Sequence, residues 1–191
     1  WASQRSGHNH LYLYDYGGVL KGPVTAGDWD VIGEWGAPAV RGIDERRGKV
    51  WFMSTRKTPL ERQLEVADLD DGTSREPQAL TTADGWHAVT MSPDTKRYLQ
   101  IYHDPAQPPR ISLHDASGRH RAWLVENRLD ASHPYAPYLD RHVLPEFGTI
   151  PAADGTPLYY QLHRPAGHEA GKRYPAVVIV YGGPTVQTVQ R

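Results

Sequence analysis

Leu11-Tyr12-Leu13-Tyr14-Asp15 is a short run of strand-forming residues, and it recurs as Leu64-Glu65-Val66-Ala67-Asp68 and again as Ile111-Ser112-Leu113-His114-Asp115. A glycine follows each copy, at Gly17, Gly72 and Gly118. Working outward, the first two copies lead into a second match, Val24-Thr25-Ala26-Gly27-Asp28-Trp29 against Leu80-Thr81-Thr82-Ala83-Asp84-Gly85-Trp86. The later two copies are preceded by paired segments that bracket a turn. These are Ala39-Val40-Arg41-Gly42-Ile43-Asp44 with Lys49-Val50-Trp51-Phe52, and Ala88-Val89-Thr90-Met91-Ser92 with Arg97-Tyr98-Leu99-Gln100-Ile101. Four short alternating segments per roughly 50 residues is the spacing of one propeller blade, an antiparallel sheet that must stack on its neighbours to bury its faces. The first unit lacks its opening strand, because Trp1-Ala2-Ser3 reads as the end of a second strand, and the third fades after Ala122-Trp123-Leu124-Val125-Glu126. The fold expected is therefore mainly β, an arc of about two and a half blades belonging to a larger ring whose earlier blades lie upstream. A helical reading is poor, because apolar residues alternate with period two and prolines fall at Pro23, Pro38, Pro59, Pro77, Pro93, Pro105, Pro108 and Pro109.

Composition narrows the function. The 191 residues are 39% hydrophobic and 23% charged, and 21 Lys+Arg against 22 Asp+Glu leave a net charge of -1. So even a balance lacks the basic footprint of a nucleic-acid binder, and Arg46-Arg47 is a two-residue cluster of the kind that faces water. No run of 18 apolar residues occurs, so no membrane span is expected. The opening Trp1-Ala2-Ser3-Gln4-Arg5 has neither a start Met nor a leader, which predicts a cut start without an intact signal peptide. The absence of cysteine removes disulfides, thiol catalysis and cysteine-bound zinc, while leaving the compartment open. Eleven Tyr and 6 Trp against 2 Phe, beside 18 Gly and 16 Pro, favour amphipathic rings on strands joined by tight turns.

After Asn127 the character changes. Residues 129–145 are polar and proline-punctuated and are expected to connect two domains, 1–128 and 146–191, with helix at most around 129–138 and at the chain end. Three further strands are predicted: Glu146-Phe147-Gly148-Thr149-Ile150, then Leu158-Tyr159-Tyr160-Gln161-Leu162-His163, then the stretch 174–181. The first two are joined through Ala153-Asp154-Gly155, a hairpin turn. The run Ala176-Val177-Val178-Ile179-Val180 is continuously apolar and β-branched, which predicts burial on both faces and a central strand of a covered α/β sheet.

Complete catalytic constellations are absent from the sequence. It contains no Gly-x-Ser-x-Gly elbow, no His-Glu-x-x-His, no phosphate loop and no dinucleotide fingerprint. His8 and His10 would share a strand face, yet no third ligand is placed beside them, so no metal is expected. Trp29 and Trp86 occupy matching positions of the repeat and read as packing residues rather than a carbohydrate platform. The segment with chemical promise is Val180-Tyr181-Gly182-Gly183-Pro184. A strand ending in Tyr then Gly-Gly places a phenol and unencumbered amides at a sheet edge, where they could stabilise an oxyanion. The alternative is a sharp turn after a core strand.

The stretch from Arg173-Tyr174-Pro175 through Val180-Tyr181-Gly182-Gly183-Pro184 to Gln187 resembles the start of the catalytic domain of prolyl oligopeptidase-type serine peptidases. The repeats are similar, more narrowly, to the dipeptidyl peptidase IV branch. The strings that carry this are Trp1-Ala2-Ser3-Gln4-Arg5-Ser6-Gly7-His8-Asn9-His10-Leu11-Tyr12-Leu13-Tyr14, Thr25-Ala26-Gly27-Asp28-Trp29-Asp30-Val31 and Gly85-Trp86-His87-Ala88-Val89-Thr90-Met91-Ser92-Pro93-Asp94. The resemblance implies the last blades of an eight-bladed propeller leading into an α/β-hydrolase domain that removes Xaa-Pro or Xaa-Ala dipeptides from peptide amino termini. It implies that Tyr181 donates its hydroxyl to the tetrahedral intermediate, that no cofactor or metal takes part, and that the intact enzyme is a homodimer acting on peptides. The family's Ser, Asp and His follow this stretch, and its paired glutamates precede it, so none maps here and the chain alone is expected to be inactive. An open arc would also self-associate through uncovered blade faces. Bacterial enzymes of this kind are commonly exported. The alternatives are an acylaminoacyl peptidase and a noncatalytic propeller that binds protein partners.

Overall fold

The computed structural model describes residues 1–33, 36–69, 76–182 and 186–191. Strands β1 (Ala2–Ser3), β2 (His10–Tyr14) and β3 (Leu20–Pro23) form a three-stranded sheet in the order β1-β2-β3. Four strands, β4 (Val40–Asp44), β5 (Lys49–Ser54), β6 (Gln63–Asp68) and β7 (Gln78–Ala79), form the second sheet in sequence order. The third contains β8 (Trp86–Met91), β9 (Arg97–Asp104), β10 (Gln107–Asp115) and β11 (His120–Val125), again in sequence order. All pairings within these sheets are antiparallel. The recurring run occupies β2, β6 and the end of β10, the same place in each blade, and the first blade starts at its second strand as the sequence predicts. Among the described residues the sheets do not close into a ring.

The turn after each copy explains its aspartate and glycine. Asp15 accepts from the amides of Gly18 and Val19 through its carbonyl and carboxylate respectively, and Gly18 takes a φ of 81°. Asp115 repeats this with Gly118, at a φ of 89°, and Arg119. A left-handed residue suits glycine because it has no Cβ to clash. The expected counterpart Gly72 lies outside the described residues.

Stacking of the blades makes the core. Side chains alternate across a strand, so in β5 Val50 and Phe52 face the first sheet, while Trp51 and Met53 face the third. The first cluster is Leu11, Val24, Val31, Val50, Phe52 and Ala67, with Trp29 packed on it. The second is Trp51, Met53, Leu64, Val89 and Tyr98. The Trp51 indole also donates to the Ala116 carbonyl across the blade gap, at 3.0 Å. The middle blade is thus buried on both sides, which is why its strand reads as a continuous apolar run.

The connection carries only a 3-10 turn at Ala136–Arg141, later than the 129–138 predicted. Pro134 and Pro137 disfavour a helix running through from 129, because a proline in a helix interior lacks the amide donor, whereas Pro137 suits the first turn of the short element that forms. Among residues 186–191 no helix forms, contrary to expectation. β12 (Glu146–Pro151) and β13 (Pro157–Leu162) form the predicted hairpin, with Gly155 at a φ of 87° in its turn. The third predicted strand is a correction. Residues 174–182 have no strand pairing, and Val177, Val178, Ile179 and Val180 are 90%, 82%, 91% and 82% exposed. The β12–β13 hairpin pairs only with itself, and among the described residues no strand pairs with 177–180 and no layer covers them.

Candidate functional site

Two matching latches position the loops at one rim of the arc. In the first blade the Leu11 amide donates to Thr25 Oγ1 at 3.0 Å, and Thr25 meets His10 Nδ1 at 3.0 Å. His10 Nε2 faces the Gly27 carbonyl at 2.9 Å. A carbonyl only accepts, so Nε2 carries the proton and Nδ1 accepts from the threonine. In the second blade Gln63 takes the place of His10. The Leu64 amide donates to Thr81 Oγ1 at 2.8 Å, the Thr81 hydroxyl donates to Gln63 Oε1 at 2.7 Å, and Gln63 Nε2 donates to the Ala83 carbonyl at 3.0 Å. Each latch uses one side chain with an acceptor at one atom and a donor at another, which is the chemistry that imidazole and carboxamide share. Both sit in the core, with Thr25 fully buried and His10, Gln63 and Thr81 nearly so.

Behind the latches the loops 28–30, 55–62 and 82–86 gather charge. Arg56 lays its Nε on both oxygens of buried Glu65, at 2.8 and 3.0 Å, and its Nη1 on Glu76 at 2.7 Å. Burial pushes the Glu65 carboxyl up, against the opposing pull of Arg56. Lys57 Nζ meets Asp84 at 2.5 Å and the fully buried Glu61 at 3.1 Å. Partial burial works against the lysine's charge, but these two carboxylates outweigh it and hold its pKa above the ordinary value. The Lys57 hydrogen bond in turn holds Asp84 below the usual carboxylate range. Arg62 lies over the Trp86 ring, 4.6 Å from its centroid, within the range of a cation–π contact. Asp30 is oriented by the Asn9 amide at 2.7 Å and by Thr55, and His8 reaches it at 3.5 Å.

The first two of these loops wall an open cleft of about 500 Å³ whose other side comes from the C-terminal part of the chain, through Tyr159, Val186 and Gln187. Charged groups of both signs around a partly apolar floor, including Trp29 and Ile32, suit a peptide-like molecule carrying amides and one or two charges. Trp29 behaves as a packing residue, stacking on Phe52 at 7° between planes and meeting His10 edge-on, while Trp86 carries the Arg62 guanidinium over its ring. Among the described residues one serine hydroxyl meets a histidine ring, Ser112 Oγ to His114 Nε2 at 2.8 Å, with His114 Nδ1 on the Gly118 carbonyl. Ser112 is buried in the sheet, so this pair is a core contact that no substrate reaches.

Tyr181 lies 54% exposed in the unpaired segment 174–182, and its hydroxyl makes no hydrogen bond among the described residues. It lines none of the described cavities; residues 186 and 187, a few positions on, line the rim cleft. Gly183 and Pro184, the rest of the predicted oxyanion turn, fall outside the described residues. His8 and His10 do not share a strand face: His10 opens β2, while His8 precedes it and turns to Asp30. Sequence reasoning missed the rim charges Arg56, Lys57, Glu61 and Asp84. Their one available signal was that Asp84 falls within the repeated segment around Thr81.

Residues 1–109 match the sequence profile of a family described as dipeptidyl peptidase IV (DPP IV) N-terminal region. Similar curated proteins include dipeptidyl peptidase 8 of Homo sapiens, 30% identical over 173 residues, a match that spans 87% of this chain and 18% of that protein. The probable dipeptidyl-aminopeptidase B of Neosartorya fischeri is 30% identical over 191 residues, 97% of this chain and 20% of that protein. The chain thus spans about a fifth of the length of the curated relatives it matches. Among solved structures, dipeptidyl peptidase 4 of Porphyromonas gingivalis superposes with a TM-score of 0.83 at 24% identity, over 99% of this chain and 25% of that one. That likeness is one of fold.

Proposed function

Since the chain belongs to the dipeptidyl peptidase IV N-terminal region family, we propose that it is part of a serine exopeptidase that releases Xaa-Pro or Xaa-Ala dipeptides from peptide amino termini. In this reading residues 1–128 are the final blades of the propeller, 129–145 connect, and 146–191 begin an α/β-hydrolase domain. A serine supplied by further sequence attacks the scissile carbonyl, a histidine takes its proton, and the carbonyl oxygen becomes an oxyanion. The Tyr181 hydroxyl, which has no hydrogen-bond partner among the described residues, donates to that oxyanion. The rim cleft contributes to the path by which the peptide reaches the site. Without the serine, histidine and aspartate the 191 residues alone have no peptidase turnover, because removing triad members costs orders of magnitude.

The observation that carries this is Tyr181 itself, half exposed, with its hydroxyl uncommitted among the described residues, on a segment that next lines the rim cleft. In the full-length protein, Tyr181→Phe is expected to lower kcat by about 10²- to 10³-fold, the usual loss on deleting one oxyanion donor, with little change in KM. A Gly-Pro amide with a free amine should be cleaved and its acylated counterpart left intact. The reverse preference would favour an acylaminoacyl peptidase, and unchanged turnover in Tyr181→Phe would favour a noncatalytic propeller.

A further inference from the structure

The segment 186–191 does not dangle from the blades. The Arg191 amide donates to the Leu60 carbonyl at 3.0 Å, and its guanidinium Nη2 lies 3.4 Å from Asp84 Oδ2. The other carboxylate oxygen of Asp84 is taken by Lys57 Nζ, which also donates to the Thr82 carbonyl at 3.1 Å. Lys57 further contacts Glu61 Oε2, the oxygen that accepts from Gln63 Nε2 at 2.8 Å. A continuous chain of polar contacts therefore runs from Arg191 through Asp84, Lys57 and Glu61 to Gln63 and Thr81, the latch in the core of the middle blade. Asp84 bridges the two, with one oxygen on Lys57 of the blade and the other on Arg191 of the arm. Residues 174–182 have no strand partner, and 186–191 are the next described residues after the stretch bearing Tyr181.

We propose that Asp84 is a positioning residue, clasping Arg191 to the blade rim and thereby holding the stretch that carries Tyr181 in its working place. This rests on the oxyanion role proposed for Tyr181. Asp84 touches neither substrate nor reacting atoms; it acts through Arg191. The depressed Asp84 and raised Lys57 keep both groups charged across the neutral range, so the clasp stays closed there. Asp84 and Arg191 are both half exposed, which makes the pair sensitive to salt and modest in strength.

The test uses the full-length protein and a Gly-Pro amide substrate with a free amine. Asp84→Asn and Arg191→Gln should each lower kcat about threefold with KM unchanged, as suits one exposed ion pair. The double variant should lose no more than either single, because both remove the same contact. Arg191→Lys should retain activity, and raising salt should slow the wild type toward the variants. Hydrogen exchange gives a second readout: the Arg191 amide should lose protection in Asp84→Asn while the β5 and β6 amides keep theirs. Multiplicative losses in the double variant, an effect on KM alone, or unchanged kcat and exchange would overturn the clasp while a slow Tyr181→Phe left the oxyanion role standing. An unaltered Tyr181→Phe would remove that role, and the clasp's purpose with it.

Discussion

Val50-Trp51-Phe52-Met53 and Ala176-Val177-Val178-Ile179-Val180 are two uninterrupted apolar runs. The first is buried throughout, and the second lies almost wholly in the open. Both invite the same inference, that a strand apolar on every side chain is covered on both faces. It holds for β5 because β4 and β6 pair with its edges and the first and third sheets cover its faces. For 177–180 no described element supplies either an edge or a layer. Continuous hydrophobicity states what a strand requires; whether it is buried depends on neighbours elsewhere in the sequence.

That contrast can be broken first in the middle blade. Phe52→Ala should cost about 3–5 kcal/mol, because it empties a fully buried site facing the first sheet. Urea unfolding at neutral pH, monitored by tryptophan fluorescence, should show a midpoint shift large enough to threaten folding. The latch comes next: Thr81→Val keeps the shape but leaves the Leu64 amide and Gln63 without their partner, at a cost of about 1–3 kcal/mol. Thr25→Val should behave alike in the first blade, whereas His10→Gln should be mild, since Gln63 already performs that role.

A smaller effect is set by pH. Burial pushes the His87 and His114 imidazoles below the ordinary value. The folded state then binds fewer protons than the unfolded one once pH drops below about 6.5. Stability should be constant above that pH, fall as pH declines through the window beneath it, and level off below the folded-state pKa values. A melting series from pH 8 to 5 should show this decline, and His87→Gln, which keeps a donor for the Ala83 carbonyl without titrating, should reduce it to the share of His114. The smallest effect is expected at the other run. Val178→Ser should leave unfolding within about 0.5 kcal/mol of the parent, as for exposed sites generally, while reducing self-association in sedimentation.

The blades were legible because each leaves a local record. Alternating residues, the Asp-Gly turns after β2 and β10, and the Thr25 and Thr81 segments all recur at near-constant spacing. The latch itself was not legible, since His10 and Gln63 differ in type and only their bonding atoms agree. The rim charges were hidden for a related reason. Lys57, Glu61, Asp84 and Arg191 are scattered along the chain, and a surface lysine that faces water looks in sequence like one that bridges two carboxylates. Tyr181 was visible through the glycine that follows it, but the chain of contacts that fastens its neighbourhood to the blades was not.

What the amino-acid sequence determined by itself is the blade: strand, turn, strand, with the alternation that tells which side chains leave each face, because these depend on residues a few positions apart. The tertiary structure decided which of those faces are covered, which of the ionisable groups meet, and that 177–180 stays unpaired. Burial and ion pairing are set by distances between remote residues, and those distances exist only once the sheets have stacked.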